Sequence, residues 1–161
     1  MLKNFTGFTL VELMVTIAVA AILLSIGAPS LISLYESTRV DNNIRKINDT
    51  LVFARNQAIN YGNAVTVCAY ESESSCKAGT DWSTGIRIFS TADSTKSLRV
   101  IEGFHSSDIV KSSVETITFS TDGLATGGSI IYCANAKASS AKGVIVNIGG
   151  LIAYGETGIS C

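Results

Sequence analysis

Hydrophobic and polar positions along the chain fall into three successive patterns. From Phe8 to Leu34 the residues are almost wholly apolar, with Glu12 as the one charged residue in the run. A bilayer core of about 30 Å needs roughly 20 apolar residues in a helix, so this stretch is long enough to span one. It also exceeds the roughly 7–15 residue core of an ordinary signal peptide. Cleavage by ordinary signal peptidase near Val19-Ala20-Ala21 is the alternative that composition leaves open. Further on, Ile44, Ile47, Leu51, Ala54 and Ala58 recur at spacings of three and four, with Arg45, Lys46, Asn48, Asp49 and Arg55 between them. That is the signature of an amphipathic helix. Gly62 is placed to cap it. Together these patterns predict one helix from about Phe8 to about Tyr61, roughly 80 Å long at 1.5 Å per residue. Its first half should be bare of domain contacts and its second half should pack on a sheet.

The third pattern is one of short strands. Ala64 to Tyr70 is rich in β-branched residues, and Gly85 to Phe89 alternates Ile86 and Ile88 with Arg87. Leu98 to Phe104, Glu115 to Ser120, Gly128 to Cys133, Gly143 to Ile148 and Leu151 to Tyr154 complete the set. Clusters of Gly, Asn, Ser and Asp separate them. Ser72 to Thr80 and Ser90 to Ser97 read as surface loops. The expected fold class is α+β: a long N-terminal helix, transmembrane in its first half, packed on a mostly antiparallel sheet. No internal repeat is visible.

Composition narrows this picture. The chain has 161 residues and a mass of 16.9 kDa, which suits one modest domain and an anchor. Charged residues are 16% of the total, against about 25% in ordinary soluble domains, and the deficit sits near the N-terminus. A net charge of -1 and a pI of about 5.8 give no bulk electrostatic case for nucleic-acid binding. Four cysteines, Cys68, Cys76, Cys133 and Cys161, all follow the apolar run. None forms a tight C-x-x-C pair, so zinc or thioredoxin-like chemistry is weakly supported. An even number beyond an export signal suits disulfides in an oxidising compartment. Of the three pairings, Cys68–Cys76 and Cys133–Cys161 are favoured as sequence neighbours, the second tying down the chain end. Buried free thiols are the competing reading.

Two polar features break the apolar run. An ionised Glu12 in a bilayer costs about 2.5 kcal/mol or more unless it finds a partner. In front of the run, Gly7 meets Phe8 after a short start containing Lys3. A flexible glycine there would present an extended peptide to a protease, and Lys3 favours keeping this start on the cytoplasmic side. Pro29, the only proline, removes a helical donor and should kink the helix.

The segment Gly7-Phe8-Thr9-Leu10-Val11-Glu12-Leu13-Met14-Val15 resembles the prepilin peptidase signal of type IV pilins and type II secretion pseudopilins. The resemblance implies cleavage between Gly7 and Phe8, N-methylation of the new Phe8 amine, and pairing of Glu12 with the free amine of a neighbouring subunit. It divides the chain into a leader (1–7), a transmembrane and assembly helix (8–34) and a periplasmic domain (35–161). Pilins commonly carry a proline where Pro29 stands, and the helix there can loosen in a filament.

The domain also resembles GspH/FimT-type minor pilins and pseudopilins. Trp82 with Gly85 and Phe89, Ile117-Thr118-Phe119 with Gly123, Cys133, and Val144-Ile145-Val146 leading to Gly149-Gly150 carry that likeness. It implies a minor pilin that helps initiate or prime pilus assembly and enters the filament at or near its tip. A type II secretion minor pseudopilin is the alternative. Implied partners are other minor and major pilins, or pseudopilins, the prepilin peptidase and an inner-membrane assembly platform. The implied location is the inner membrane as a single-pass protein, then a surface pilus or a periplasmic pseudopilus.

Enzyme chemistry finds little support. His105 is the only histidine, and neither a G-x-S-x-G elbow nor a phosphate-binding G-x-x-x-x-G-K-[ST] loop is present. No cofactor or metal is expected, and His105-Ser106-Ser107-Asp108 reads as a polar loop. A DNA-binding minor pilin for natural transformation is the second alternative. FimT-like proteins of that kind carry arginines in a Gly-Arg-x-Arg stretch, but here the matching place reads Gly150-Leu151-Ile152-Ala153. Lys137 and Lys142 are the remaining candidates for phosphate contact, and two lysines supply little. Nucleic acid is therefore not an expected partner.

Overall fold

A computed structural model describes residues 8–155 and 157–161. Helix α1 runs from Leu10 to Tyr61, 52 residues as one element. Contacts divide the chain into two compact units, one ending at Glu36 and one spanning Ser37–Cys161. Within the first, described side chains up to Tyr35 are exposed. Within the second, α1 turns one stripe inward: Val40, Ile44, Ile47, Leu51, Ala54 and Ala58 are all buried. Spacings of four and three keep these residues on one face. The helix ends where Gly62 takes φ +64° and returns its N–H to the Ala58 carbonyl at 3.1 Å. This left-handed stop costs glycine little, because it has no Cβ.

Eight strands follow among the described residues. β1 (Val65–Ala69), β2 (Gly85–Ser90), β3 (Arg99–Glu102) and β5 (Thr116–Phe119) form one sheet in the order β3-β2-β1-β5. β4 (Ile109–Ser112), β6 (Gly128–Cys133), β7 (Lys142–Val146) and β8 (Ile152–Tyr154) form a second, in the order β4-β6-β7-β8. Every pairing is antiparallel; Val67 faces Ile88 on one side and Ile117 on the other. The buried α1 stripe shares one apolar core with both sheets, including Trp82, Ile86, Ile88, Ile117, Phe119, Ile130 and Val144.

The structure differs from the sequence expectation in having two sheets rather than one. It also has one strand more than expected, β4. This strand follows the predicted polar loop, and the chain leaves it through Ser113 and Val114 to enter β5 in the other sheet. Each sheet also has one covered and one open edge. Residues 80–83 lie along β4: Thr80 O accepts from the Ser112 N–H at 2.8 Å, and the Trp82 N–H donates to Val110 O at 2.9 Å. Residues 124–126 cover β5, where the Thr126 N–H donates to Thr118 O at 3.0 Å. β3 and β8 have no such neighbour among the described residues.

Candidate functional site

The apolar half of α1 begins with a reciprocal cap. Thr9 precedes the helix, and its N–H and hydroxyl both donate to Glu12 Oε2, at 2.9 and 2.8 Å. The Glu12 N–H donates back to Thr9 Oγ1 at 3.2 Å. This is the T-x-x-E capping box, which satisfies helix-start donors that would otherwise be orphaned. It also holds the Glu12 carboxylate folded toward Phe8, whose side chain is 85% exposed. Three further hydroxyls in this half bond within the helix: Thr16 donates to Leu13 O at 2.8 Å, Ser25 to Ile22 O at 2.7 Å and Ser33 to Ser30 O at 2.9 Å. Such back-bonding matters in lipid, where no water is available to replace it. The helix is long and apolar enough to cross a membrane. Gly7 and Lys3 lie outside the described residues. The helical backbone passes through Pro29 as part of α1, and the side chains of 26–29 also lie outside the description.

In the second unit, Asp108 organises a polar cluster between α1, β6 and the chain entering β4. Its side chain is wholly buried and lies 2.8 Å from the Arg39 guanidinium. It accepts the Tyr132 hydroxyl proton and the Asn135 N–H, the latter at 3.0 Å. Asn43 donates to Tyr132 Oη at 2.9 Å, closing the link back to α1. Burial by itself pushes the Asp108 carboxyl up, but the Tyr132 hydroxyl, the Asn135 N–H and Arg39 outweigh it and hold the pKa below the ordinary value. Burial and the Asp108 carboxylate raise Tyr132. Residues 105–108 are a loop, as expected, but the loop is not uniformly solvated. His105 and Ser107 are exposed and bond each other at 2.8 Å, whereas Asp108 is a buried anchor. Sequence alone could not single it out, because its ionic partner lies 69 positions away.

The disulfides join Cys68 on β1 to Cys76, and Cys133 at the end of β6 to Cys161. Beside the first, Arg87 on β2 is 1% exposed. Its guanidinium donates to Ser97 Oγ at 3.0 Å and to Ser94 O at 2.5 Å, and stacks 4.4 Å from the Phe89 ring centre. It therefore pins the 94–97 loop to the sheet. Trp82 and Phe119, two of the residues carrying the family likeness, are fully buried core.

The residues considered for phosphate contact are not brought together as a basic cluster. Lys142 is ion-paired with Asp41, and Lys137 sits between two single 3-10 turns, Ala134–Ala136 and Ala138–Ser140. The stretch from Gly150 to Ala153 runs from the β7–β8 turn into β8, with Leu151 exposed. Arg55 reaches this end of the domain from α1 and donates to Gly123 O at 3.1 Å. Among the described residues no group of His, Cys, Asp and Glu is arranged to hold a metal.

Comparisons with known proteins align with this geometry. Residues 43–150 match the family model of the type II transport protein GspH, and residues 2–28 match that of the prokaryotic N-terminal methylation motif. No curated protein matches the sequence significantly. The fold is similar to the crystal structure of the type IV minor pilin FimU of Pseudomonas aeruginosa: 20% identity, 80% of this chain and 96% of that chain covered, TM-score 0.62. A second crystal form of FimU aligns at 21% identity over 75% of this chain and 96% of that one, with a TM-score of 0.58. The minor pseudopilin EpsH from the type 2 secretion system of Vibrio cholerae aligns at 7% identity over 75% of this chain and 99% of that one, with a TM-score of 0.55. At these identities the likeness is one of fold.

Proposed function

Because the chain belongs to the GspH family of type II transport proteins, we propose that it is a minor type IV pilin that helps start pilus assembly and enters the filament at or near its tip. The observation that carries this reading is the pairing of two modules on one helix. An N-terminal methylation motif leads an exposed apolar half, and the GspH-type domain encloses the other half. In this reading the leader is 1–7, the transmembrane and assembly helix is 8–34 and the periplasmic domain is 35–161. Prepilin peptidase cuts between Gly7 and Phe8 and the Phe8 amine is methylated. The mature chain waits in the inner membrane for the assembly platform.

Glu12 then supplies the negative charge that a neighbouring subunit's Phe8 amine needs in an apolar filament core. Opposite charges brought together at low dielectric relieve each other's desolvation. The capping box supports this role: it aims Glu12 at the end of the helix where cleavage frees an amine. Pro29 provides a weak point where the helix loosens on packing.

Mass spectrometry of the mature protein tests the route. The reading expects Phe8, methylated, as the first residue, and an N-terminus at Ala20 or Ala21 would overturn it. A second reading, a type II secretion minor pseudopilin, is favoured by the name of the matching family. Deleting the gene separates the two: loss of surface pili with secretion intact supports the pilus, and the reverse supports the pseudopilus. A DNA-binding role in transformation is less favoured, since Lys142 is engaged by Asp41 and the 150–153 stretch carries no arginine.

A further inference from the structure

Three of the chain's cations converge on one open sheet edge. A groove of about 470 Å³ runs between α1 and β3, lined by Asn42, Arg45, Lys46, Asp49, Thr50, Arg99, Val100 and Ile101. Its floor is Thr50 and Ile101, both buried, and its rim is charged. Arg45, Lys46 and Arg99 stand there against the single carboxylate of Asp49, and none of the three forms an ion pair among the described residues. The Arg99 guanidinium lies 3.9 Å from the centre of the Phe53 ring, an arrangement that orients the cation while leaving its charge unneutralised.

One wall of this groove is β3, the last strand of its sheet. Its backbone bonds run to β2 alone among the described residues. The contrast with the covered edges of β4 and β5 is informative. An uncovered edge presents unpaired N–H and C=O groups that template another strand. Recognition by strand addition takes its affinity from such main-chain groups and its selectivity from flanking side chains. Here the side chains that line the groove are mainly cationic, with Asp49 among them and Glu102 exposed at the far end of β3. β8 is open too, but it has only three residues, and of the cations beside it, Arg45 and Lys142, the second is paired with Asp41.

We propose that the groove between α1 and β3 receives an extended acidic segment of a partner protein, which adds as a strand beside β3 and sets its carboxylates against Arg45, Lys46 and Arg99. An open strand edge suits a peptide backbone and has no use for a nucleic-acid phosphate chain, which offers no matching ladder of donors and acceptors. The proposal stands independently of the filament reading, since it uses none of Phe8, Glu12 or the apolar helix.

The test uses the full chain in detergent and a short synthetic peptide of alternating valine and glutamate. Binding is followed by titration, and amide hydrogen exchange is read across Arg99–Glu102. The expected result is binding that slows exchange in β3. Full N-methylation of the peptide backbone should abolish it, and a valine–lysine peptide should fail to bind. Charge reversal at Arg45 and Lys46 together should weaken binding about tenfold. These variants lie on the exposed face of α1, and Trp82 fluorescence checks that their fold is unchanged. Arg99→Gln provides a second variant on the opposite wall. No binding, equal binding of the lysine peptide, or binding that leaves β3 exchange untouched would overturn the proposal. So would double-stranded DNA binding that is lost in the same variants while the acidic peptide does not bind.

Discussion

Replacing Asp108 with asparagine removes a charge while keeping the shape of the side chain. In the native cluster the carboxylate accepts from Arg39 at 2.8 Å, from Asn135 at 3.0 Å and from the Tyr132 hydroxyl. Asparagine retains one acceptor oxygen and adds an N–H₂ donor that must face other donors. Hydrogen bonds to a charged group contribute roughly 1.5–3 kcal/mol each, and breaking a buried ion pair from one side costs about 3–5 kcal/mol. With Arg39 only 13% exposed and Asp108 fully buried, Asp108→Asn should destabilise the domain by about 3 kcal/mol. For a domain of this size that lowers Tm by about 10 °C. The readout is the fluorescence of Trp82, the only tryptophan and fully buried, during urea or thermal unfolding of the detergent-solubilised chain. The pH dependence gives a second check. Because the folded pKa of Asp108 is depressed, its contribution is complete above the unfolded value near 4 and is lost as pH falls through the lower folded value. The gap between wild type and variant should therefore shrink below about pH 4. A loss under about 0.5 kcal/mol, or a gap of constant size down to low pH, would refute the anchor.

The two disulfides should contribute unequally. The separation is 28 residues for Cys133–Cys161 and 8 for Cys68–Cys76, and loop entropy assigns them about 3.5 and about 2.5 kcal/mol. Urea unfolding of the paired Cys→Ser variants measures both. Glu12→Gln keeps a side chain able to accept in the capping box but removes its charge, whereas Glu12→Ala removes both. If charge sets subunit register, both variants should fail to enter filaments while the domain melts normally; normal incorporation of the glutamine variant would assign the role to the cap. Gly150→Ala should cost about 3 kcal/mol or more, since the new Cβ would lie 1.9 Å from the Gly123 carbonyl oxygen at φ +76°. Circular dichroism melting checks this.

How much was legible beforehand follows from how local each signal is. The buried stripe of α1 repeats within a few residues, so its period shows in the chain, and Val40 merely extends it by a turn. β1 and β7 announce themselves by runs of β-branched residues. β4 does not: only Ile109 and Val110 are apolar, and residues 80–83 complete its pairing from a distance. The division into two sheets follows from pairings between distant strands, such as β1 with β5, which no local pattern shows. Thr9-x-x-Glu12 is a local capping signal, legible within four residues. Asp108 could not be read locally, because burial by residues from other elements is what distinguishes it from an ordinary loop aspartate.

Arg87 and Asp108 are both charged groups inside the domain, yet acid treats them differently. A guanidinium stays protonated as pH falls, so the cross-link from Arg87 to Ser94 and Ser97 persists, alongside the covalent Cys68–Cys76 tie. The Asp108 carboxylate takes up a proton and releases its hold on Arg39 and Asn135. Acid is therefore expected to loosen the junction between α1 and the second sheet while the Arg87 ties in the first sheet hold.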